Sequence, residues 1–376
     1  MDFKSLTFVQ FFCLSLLLSC SSIKSATSGE VELMVYNVEN LFDTVHTIED
    51  GVEKDDWTFL AKDAPGKSDA CKKIGYKRYR DACFNTDWNE KNLNMKLDQI
   101  KEVLTKGRKL PDILALVEIE GPVVVGQLAK KLGYKEFHTS QSPDTRGIDL
   151  AILFNPSKEI VFVKKREHEV KEVKKATRNI FEVEMKIGGN PVHIFVNHWP
   201  SQGNPSEDRV AAAKVLDQRV REIKKQNPDH AVISLGDFNT IPTDFPHPFH
   251  SVIMRDGMLR DVHQMYKKDR SIDWKLKDAM PPGTYFYYKE MAWNILDRIF
   301  VDESLIDGKG MDIVLSSYQI YAPQFITTTY EYKGKKAGYF KGSTVRRIPK
   351  SYDHLSKTKK DAGYSDHFPV LIKLKY

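Results

Sequence analysis

The sequence has no Gly-rich phosphate loop and no G-x-S-x-G elbow, which argues against nucleotide-loop and serine-nucleophile chemistry. It has no thiolate cluster: cysteine occurs only at Cys13, Cys20, Cys71 and Cys83. No segment after the N-terminal stretch is long and apolar enough to span a bilayer as a helix. No repeat at solenoid spacing is present. Charge of one sign does not dominate either. The 57 Lys and Arg against 51 Asp and Glu leave a net charge of +6, compatible with a polyanionic or phosphorylated substrate without selecting one. What is there is length: 376 residues suffice for one large α/β domain with a sizeable core, or for two ordinary ones.

The first residues read as an export signal. Lys4, offset by Asp2, precedes an apolar stretch at 8–18 that ends in "LLLSC" (16–20). This ending resembles the bacterial lipobox, which implies lipidation of Cys20, with a plain signal peptide as the alternative. Residues 20–29 are small and polar, as a tether would be. On this reading 1–19 is removed, and 30–376 forms the domain. Cys71 and Cys83 then remain, and export predicts a local disulfide between them. Zinc is the rival, but no neighbouring His pair or further Cys supports it.

The pattern along the chain mixes strands with a few helices. "EVELMVYNVENLF" (30–42) begins with strand alternation. Residues 43–89 are polar and read as an insertion. Leu93, Leu97, Ile100 and Leu104 have helical spacing within 91–106, and a second helix is predicted at 123–132. A near-continuous apolar strand is predicted at 111–120, with others at 149–154, 159–170, 178–186 and 192–197. An amphipathic helix is predicted at 206–225, then a strand in "HAVISLGDFNTIPTD" (230–244). The order predicts a layered α/β sandwich.

Polar residues recur where apolar strands end or begin. Asn37 and Glu39 follow "LMVY", Glu118 follows "ILALV", His198 follows "IFVN", and Asp237 and Asn239 follow "ISLG". Asp297 lies in "WNILDRIF", and Asp366 and His367 precede "FPVLIKL". Strand ends gather side chains at one rim of a sheet, so six such sites point to one constellation. Carboxylate and carboxamide oxygens suit a hard cation such as Mg²⁺ or Mn²⁺. His and Asp can exchange protons near neutral pH. Asp237 and Asn239 also fit an ordinary Asx turn.

"YNVENLF", "ALVEIE", "VNHWPS", "GDFNTIP", "ILDRIFV" and "SDHFPV" resemble, in order, motifs of the endonuclease/exonuclease/phosphatase, or deoxyribonuclease-I-like, superfamily. The resemblance runs from Asn37 to Val370 and is nearest to its exported bacterial members. It implies a four-layer sandwich, two packed mixed β-sheets flanked by helices. It also implies roles. Glu118 would bind the metal with Asn37 and Asp366 assisting. Asp237 would orient or deprotonate the attacking water, and Asn239 would hold a phosphate oxygen. Asp297 and His367 would pair, and His198 would stabilise the phosphorane or protonate the leaving oxygen. A His at this place, together with export, argues against abasic-site repair.

Rival readings stay open beside these. Glu39 or Glu120 could be the ligand, since alternation puts Glu118 and Glu120 on one face. Arg146 and Asp149 could meet phosphate or only brace a turn. Trp199 and the aromatic run 285–288 read as packing, and Lys72, Lys73, Lys77, Arg78 and Arg80 as a solvated loop. The charge run 164–175 reads as a solvated hairpin. Arg298 stands where the family often has Tyr or His, a departure that bears on substrate contacts and not on Asp297. The expected activity is metal-dependent phosphodiester hydrolysis, with nucleic acid leading as substrate, sphingomyelin or phospholipid next, and a small phosphomonoester third. A binding protein without catalysis is the rival of a different class. The chain is expected to act as a monomer, with no protein partner inferred and with its membrane contact through Cys20.

Overall fold

The structure, a computed structural model, describes residues 29–332, 340 and 342–376. The signal at 1–19, Cys20 and all of the tether but Gly29 lie outside the described residues. Two six-stranded mixed sheets form the centre. In the first the order is Asp312–Ile320, Val370–Lys375, Glu30–Leu41, Ile113–Ile119, Asp149–Phe154 and Glu136–Thr139. In the second it is Arg260–Asp261, Asp297–Val301, Ala231–Asp237, Asn190–His198, Ile180–Ile187 and Ile160–His168. In each sheet only the central pair is parallel: Glu30–Leu41 with Ile113–Ile119, and Asn190–His198 with Ala231–Asp237.

Period-two alternation explains how the sheets pack. Val192, Ile194 and Val196 join Leu33 and Val35 in one large core cluster. The intervening Phe195 belongs instead to a second cluster with Leu216, Val220 and Ile223 of the helix Ser206–Gln226. Both faces are therefore buried, which is why these strands read as continuous apolar runs. The helix Glu90–Thr105 adds Leu93, Leu97, Ile100 and Leu104 to the large cluster. It starts at Asn89, whose side chain accepts from the Lys91 and Asn92 amides. Each fully buried Leu here contributes about 2 kcal/mol of transfer free energy.

Three expectations are corrected. The basic residues Lys72, Lys73, Lys77, Arg78 and Arg80 lie on two short helices, Lys67–Lys73 and Lys77–Asn85, rather than in a loop, and the expected Cys71–Cys83 disulfide joins these helices. Trp88 anchors the end of the 43–89 segment, fully buried, with its indole N–H donating to Phe42 O. The run 164–175 is not wholly a solvated hairpin, because Ile160–His168 is an edge strand of the second sheet. Glu118 and Glu120 do not share a face, because Glu118 has φ of 65° and the register slips beside it.

Topology fixes one rim. The four parallel strands end there with their C-termini. The antiparallel strand Asp297–Val301 begins there, and Asp366 and His367 enter Val370–Lys375 there. Asp237 is in register with both His198 and Asp297.

Candidate active site at the sheet rim

The rim backbone departs from ordinary strand geometry. Glu39, Asn40, Glu118 and Asn239 all have positive φ, at 52°, 62°, 65° and 47°. Such conformations cost on the order of 1–3 kcal/mol each in non-Gly residues and persist where the surroundings enforce them. Gly236 has φ of 135°, and a Cβ there would lie 2.1 Å from Asn197 O, so only glycine fits. This lets the strand pass close to its neighbour at Asn197 while Asp237, its last residue, stays paired with His198 and Asp297 at the rim.

The turn is an Asx turn and more. Asp237 Oδ1 accepts from the Asn239 amide at 2.8 Å. Its Oδ2 faces the site, accepting from Asn37 Nδ2 and Asn239 Nδ2, each at 3.2 Å. Asn37 Nδ2 also donates to Glu118 Oε1 at 3.2 Å, so its amide links the first sheet's Glu118 to the second sheet's Asp237. Glu118 Oε2 accepts from the Asn40 amide at 3.1 Å. His198 Nε2 lies 3.6 Å from Glu118 Oε1 and 3.8 Å from Asp237 Oδ2. His367 Nε2 lies 3.9 Å from Asp237 Oδ2 and from Asp366 Oδ1, while its Nδ1 meets Asp297 Oδ2 at 2.7 Å. All eight sequence-predicted residues therefore converge.

Their surroundings separate the two imidazoles electrostatically. Burial, then the charge of Arg178, pushes the pKa of His198 well below the usual histidine range. Burial also opposes a charged His367, but Asp297, Asp366 and Asp237 outweigh it and hold its pKa well above that range. Burial raises Asp237 to about 7, partly offset by His367. Burial likewise raises Asp366 to about 6, again against His367. At neutral pH the pair is thus one neutral and one protonated imidazole, an arrangement suited to acid–base work.

The rival ligands are engaged elsewhere. Glu120 accepts from the Asp43 amide and the Thr47 hydroxyl, and Glu39 from the Ser351 hydroxyl and the Tyr352 and Asp366 amides. Asp149 braces a turn, accepting from the Ser140 hydroxyl and Ser142 amide. Arg146 is half exposed and close enough to His198 to lower its pKa, so it stands at the mouth. Arg298 turns away: it pairs with Asp261, donates to Ile295 O and stacks over Phe249. Trp199 is packed edge-on against Phe238. Tyr285, by contrast, lies at the site, its ring 5.0 Å from that of His367. Asn239 Nδ2 is held by Trp199 O and Asp237, so reaching a phosphate oxygen requires it to give up one of them.

Two buried cations escaped the sequence reading. Arg178 donates to His198 O at 3.1 Å, Trp199 O at 2.6 Å and Asp144 Oδ2 at 3.1 Å, fixing the strand end that carries His198. Lys96 donates to Glu39 O and Tyr364 O beneath Glu39, Asp366 and Glu118. Its signal was present, since a Lys among Leu93, Leu97 and Ile100 falls on the apolar face of its helix.

A sequence model described as "Endonuclease/Exonuclease/phosphatase family" matches residues 32–376. The chain belongs to the endonuclease/exonuclease/phosphatase family. No curated protein matches the sequence. Solved structures of the same fold include humanized D. rerio TDP2, with TM-score 0.52 and 14% identity over 92% of this chain and 98% of that one. A mannosyl-6-phosphatase of Bacteroides thetaiotaomicron gives TM-score 0.52 at 14% identity over 92% and 100%. The human Nocturnin catalytic domain with bound sulfate gives 0.51 at 15% over 92% and 94%. At these identities the likeness is one of fold.

Enzymes of this family hydrolyse phosphoesters with a divalent metal, and the donors gathered at the rim fit such an ion. Ligand atoms of Glu118, His198 and Asp237 all lie within 4.8 Å of one another. Glu118 is common to this trio and to the expected set of Asn37, Glu118 and Asp366. In the structure Asn37 presents its amide nitrogen to the carboxylates and turns its oxygen to the Glu39 amide.

Proposed function

We propose that the chain is a Mg²⁺- or Mn²⁺-dependent phosphodiesterase that cleaves nucleic acid. The observation that carries this reading is the single oxygen Asp237 Oδ2, reached by both His198 and His367. Glu118, with Asp366 and Asn37 beside it, would hold the cation. The bound cation supplies charge stabilisation for the pentacovalent transition state. Asp237 accepts the proton of the attacking water. His367, kept protonated by Asp297, holds positive charge against the developing phosphorane. His198, neutral and with Nε2 turned inward, orients the reacting phosphate or shuttles the leaving group's proton. Arg146 at the mouth offers a cation to a substrate phosphate.

The net basic chain and the exposed Lys73 and Arg78 of the 43–89 segment support a polyanionic substrate. The Cys71–Cys83 disulfide supports residence in an oxidising compartment, in line with export and anchoring through Cys20. Side-by-side turnover of plasmid DNA, RNA, sphingomyelin micelles and a small phosphomonoester tests the substrate class. Nucleic-acid cleavage should be fastest, and at low substrate it should fall steeply with salt. Faster hydrolysis of sphingomyelin or the monoester would replace the nuclease reading.

A further inference from the structure

The strand that ends in His198 begins near another histidine cluster. His193 lies five residues earlier, about 17 Å away along an extended strand. Alternation turns it to the helix-covered side of the second sheet, beside fully buried Glu182. Glu182 Oε1 meets His193 Nδ1 at 2.8 Å and its Oε2 meets His168 Nε2 at 2.6 Å, while Arg219 bonds both oxygens. An ionised carboxylate can only accept, so His193 carries its proton on Nδ1. In the neutral ring Nε2 then offers a lone pair, and it faces His230 Nδ1 at 3.0 Å. Glu184 stands directly across from His193 in the antiparallel ladder. The ligand atoms of Glu184, His193 and His230 all lie within 4.8 Å of one another.

We propose that Glu184, His193 and His230 form a second metal site, separate from the catalytic rim and selective for a borderline divalent ion such as Zn²⁺. Three features carry this. First, the carboxylate–imidazole pair of Glu182 and His193 is the outer support that histidine ligands characteristically have, fixing both tautomer and ring direction. Second, the spacing fits. Two Zn–N bonds of about 2.0–2.1 Å at a tetrahedral angle hold their nitrogens about 3.3 Å apart, so the observed pair need open by only about 0.3 Å. Binding requires His230 to carry its proton on Nε2 rather than Nδ1, a tautomer change with no net proton loss. Third, the neighbouring charge selects the ion. Lys164 and Arg166 both pair with Glu184 Oε2, at 3.3 and 3.4 Å. Those cations penalise a hard ion held mainly by charge, and two imidazoles favour zinc. Solvent would fill the fourth position, since Glu184 and His230 are only half-buried.

Such a site would clip the strands Ile180–Ile187 and Asn190–His198 to the turn before Ala231–Asp237. The test is zinc uptake by the metal-stripped, disulfide-intact chain in excess Mg²⁺, comparing wild type with His230→Ala and Glu184→Gln. Wild type should take up one zinc per chain more than His230→Ala, and Glu184→Gln should bind that zinc at least about tenfold more weakly. Zinc should raise the Tm of wild type and not that of His230→Ala, with both equally stable when metal-free. Equal zinc stoichiometry and equal Tm shifts in wild type and His230→Ala would reduce the pair to a simple histidine–histidine hydrogen bond and overturn the proposal. Should metal-free His230→Ala prove less stable, His230→Gln serves under the same criteria.

Discussion

His198 and His367 converge on one oxygen of Asp237, their Nε2 atoms 3.8 and 3.9 Å from Oδ2, while their pKa values are driven in opposite directions. The two rings are chemically alike, so the difference lies in what surrounds them. His198 has a buried Nδ1 with no hydrogen-bond partner among the described residues, and the charge of Arg178 disfavours its protonation. His367 has Asp297 on Nδ1.

The contrast predicts a pH signature. His367 acts protonated, so its deprotonation sets the alkaline limit of kcat. Asp297→Asn removes the charge that holds the proton, so the folded pKa falls and the alkaline limb moves to lower pH. Turnover should also fall by on the order of a hundredfold. A pH–rate profile of Asp297→Asn that overlays wild type would remove His367 from proton chemistry.

Glu182 makes a separate prediction about stability. Burial opposes its ionisation, but hydrogen bonds from His168, His193 and Arg219 outweigh this and hold its pKa well below the usual 4.5. A carboxyl depressed on folding contributes stability that is present above the unfolded pKa and lost as pH falls below it. Wild type should therefore lose stability progressively below about pH 4.5. Glu182→Gln should cost roughly 3 kcal/mol at pH 7, because it strands buried partners, and should flatten the acid dependence. Denaturant melts at pH 7 and pH 4 decide this. Equal acid sensitivity in both proteins would contradict it.

The sequence reading succeeded where one local rule decides the outcome. Polar residues after apolar runs mark strand ends, and parallel strands with common polarity bring those ends together, so Asn37, Glu118, His198 and Asp237 were legible one by one. It failed where tertiary context overrides alternation. The positive φ of Glu118 separates it from Glu120, and nothing in "ALVEIE" announces that kink. Short elements such as Glu136–Thr139 and Arg260–Asp261 carry too few residues to show a period. Arg178 was hidden because a buried arginine and a solvated one look alike until Asp144 and the His198 carbonyl are placed beside it.

The disulfide should matter to the 43–89 segment and little to catalysis. Cys71 and Cys83 are buried, with a sequence separation of 12. A loop of that size stabilises by roughly 3 kcal/mol on the chain-entropy account. Cys71→Ser with Cys83→Ser should lower the resistance of this segment to proteolysis while sparing kcat. Free thiols at both positions in protein taken from the cell envelope, seen by mass spectrometry, would contradict the disulfide.

Cys20 lies outside the described residues, and its lipidation is tested directly. Cys20→Ala should move the protein from the membrane fraction to the soluble one, because no helix among the described residues is long and apolar enough to anchor it. Retention of Cys20→Ala on membranes would require another anchor.

Asp237→Asn assayed on the preferred phosphodiester, with Mg²⁺ and in excess chelator, tests the central claim most directly. The substitution keeps size and the turn while removing the base, so kcat should fall by a hundredfold or more, on the order of what general-base removal costs. Wild-type hydrolysis should vanish in chelator and return with Mg²⁺ or Mn²⁺. Near-normal turnover by Asp237→Asn, or full wild-type activity in chelator, would contradict a metal-dependent hydrolysis centred on Asp237.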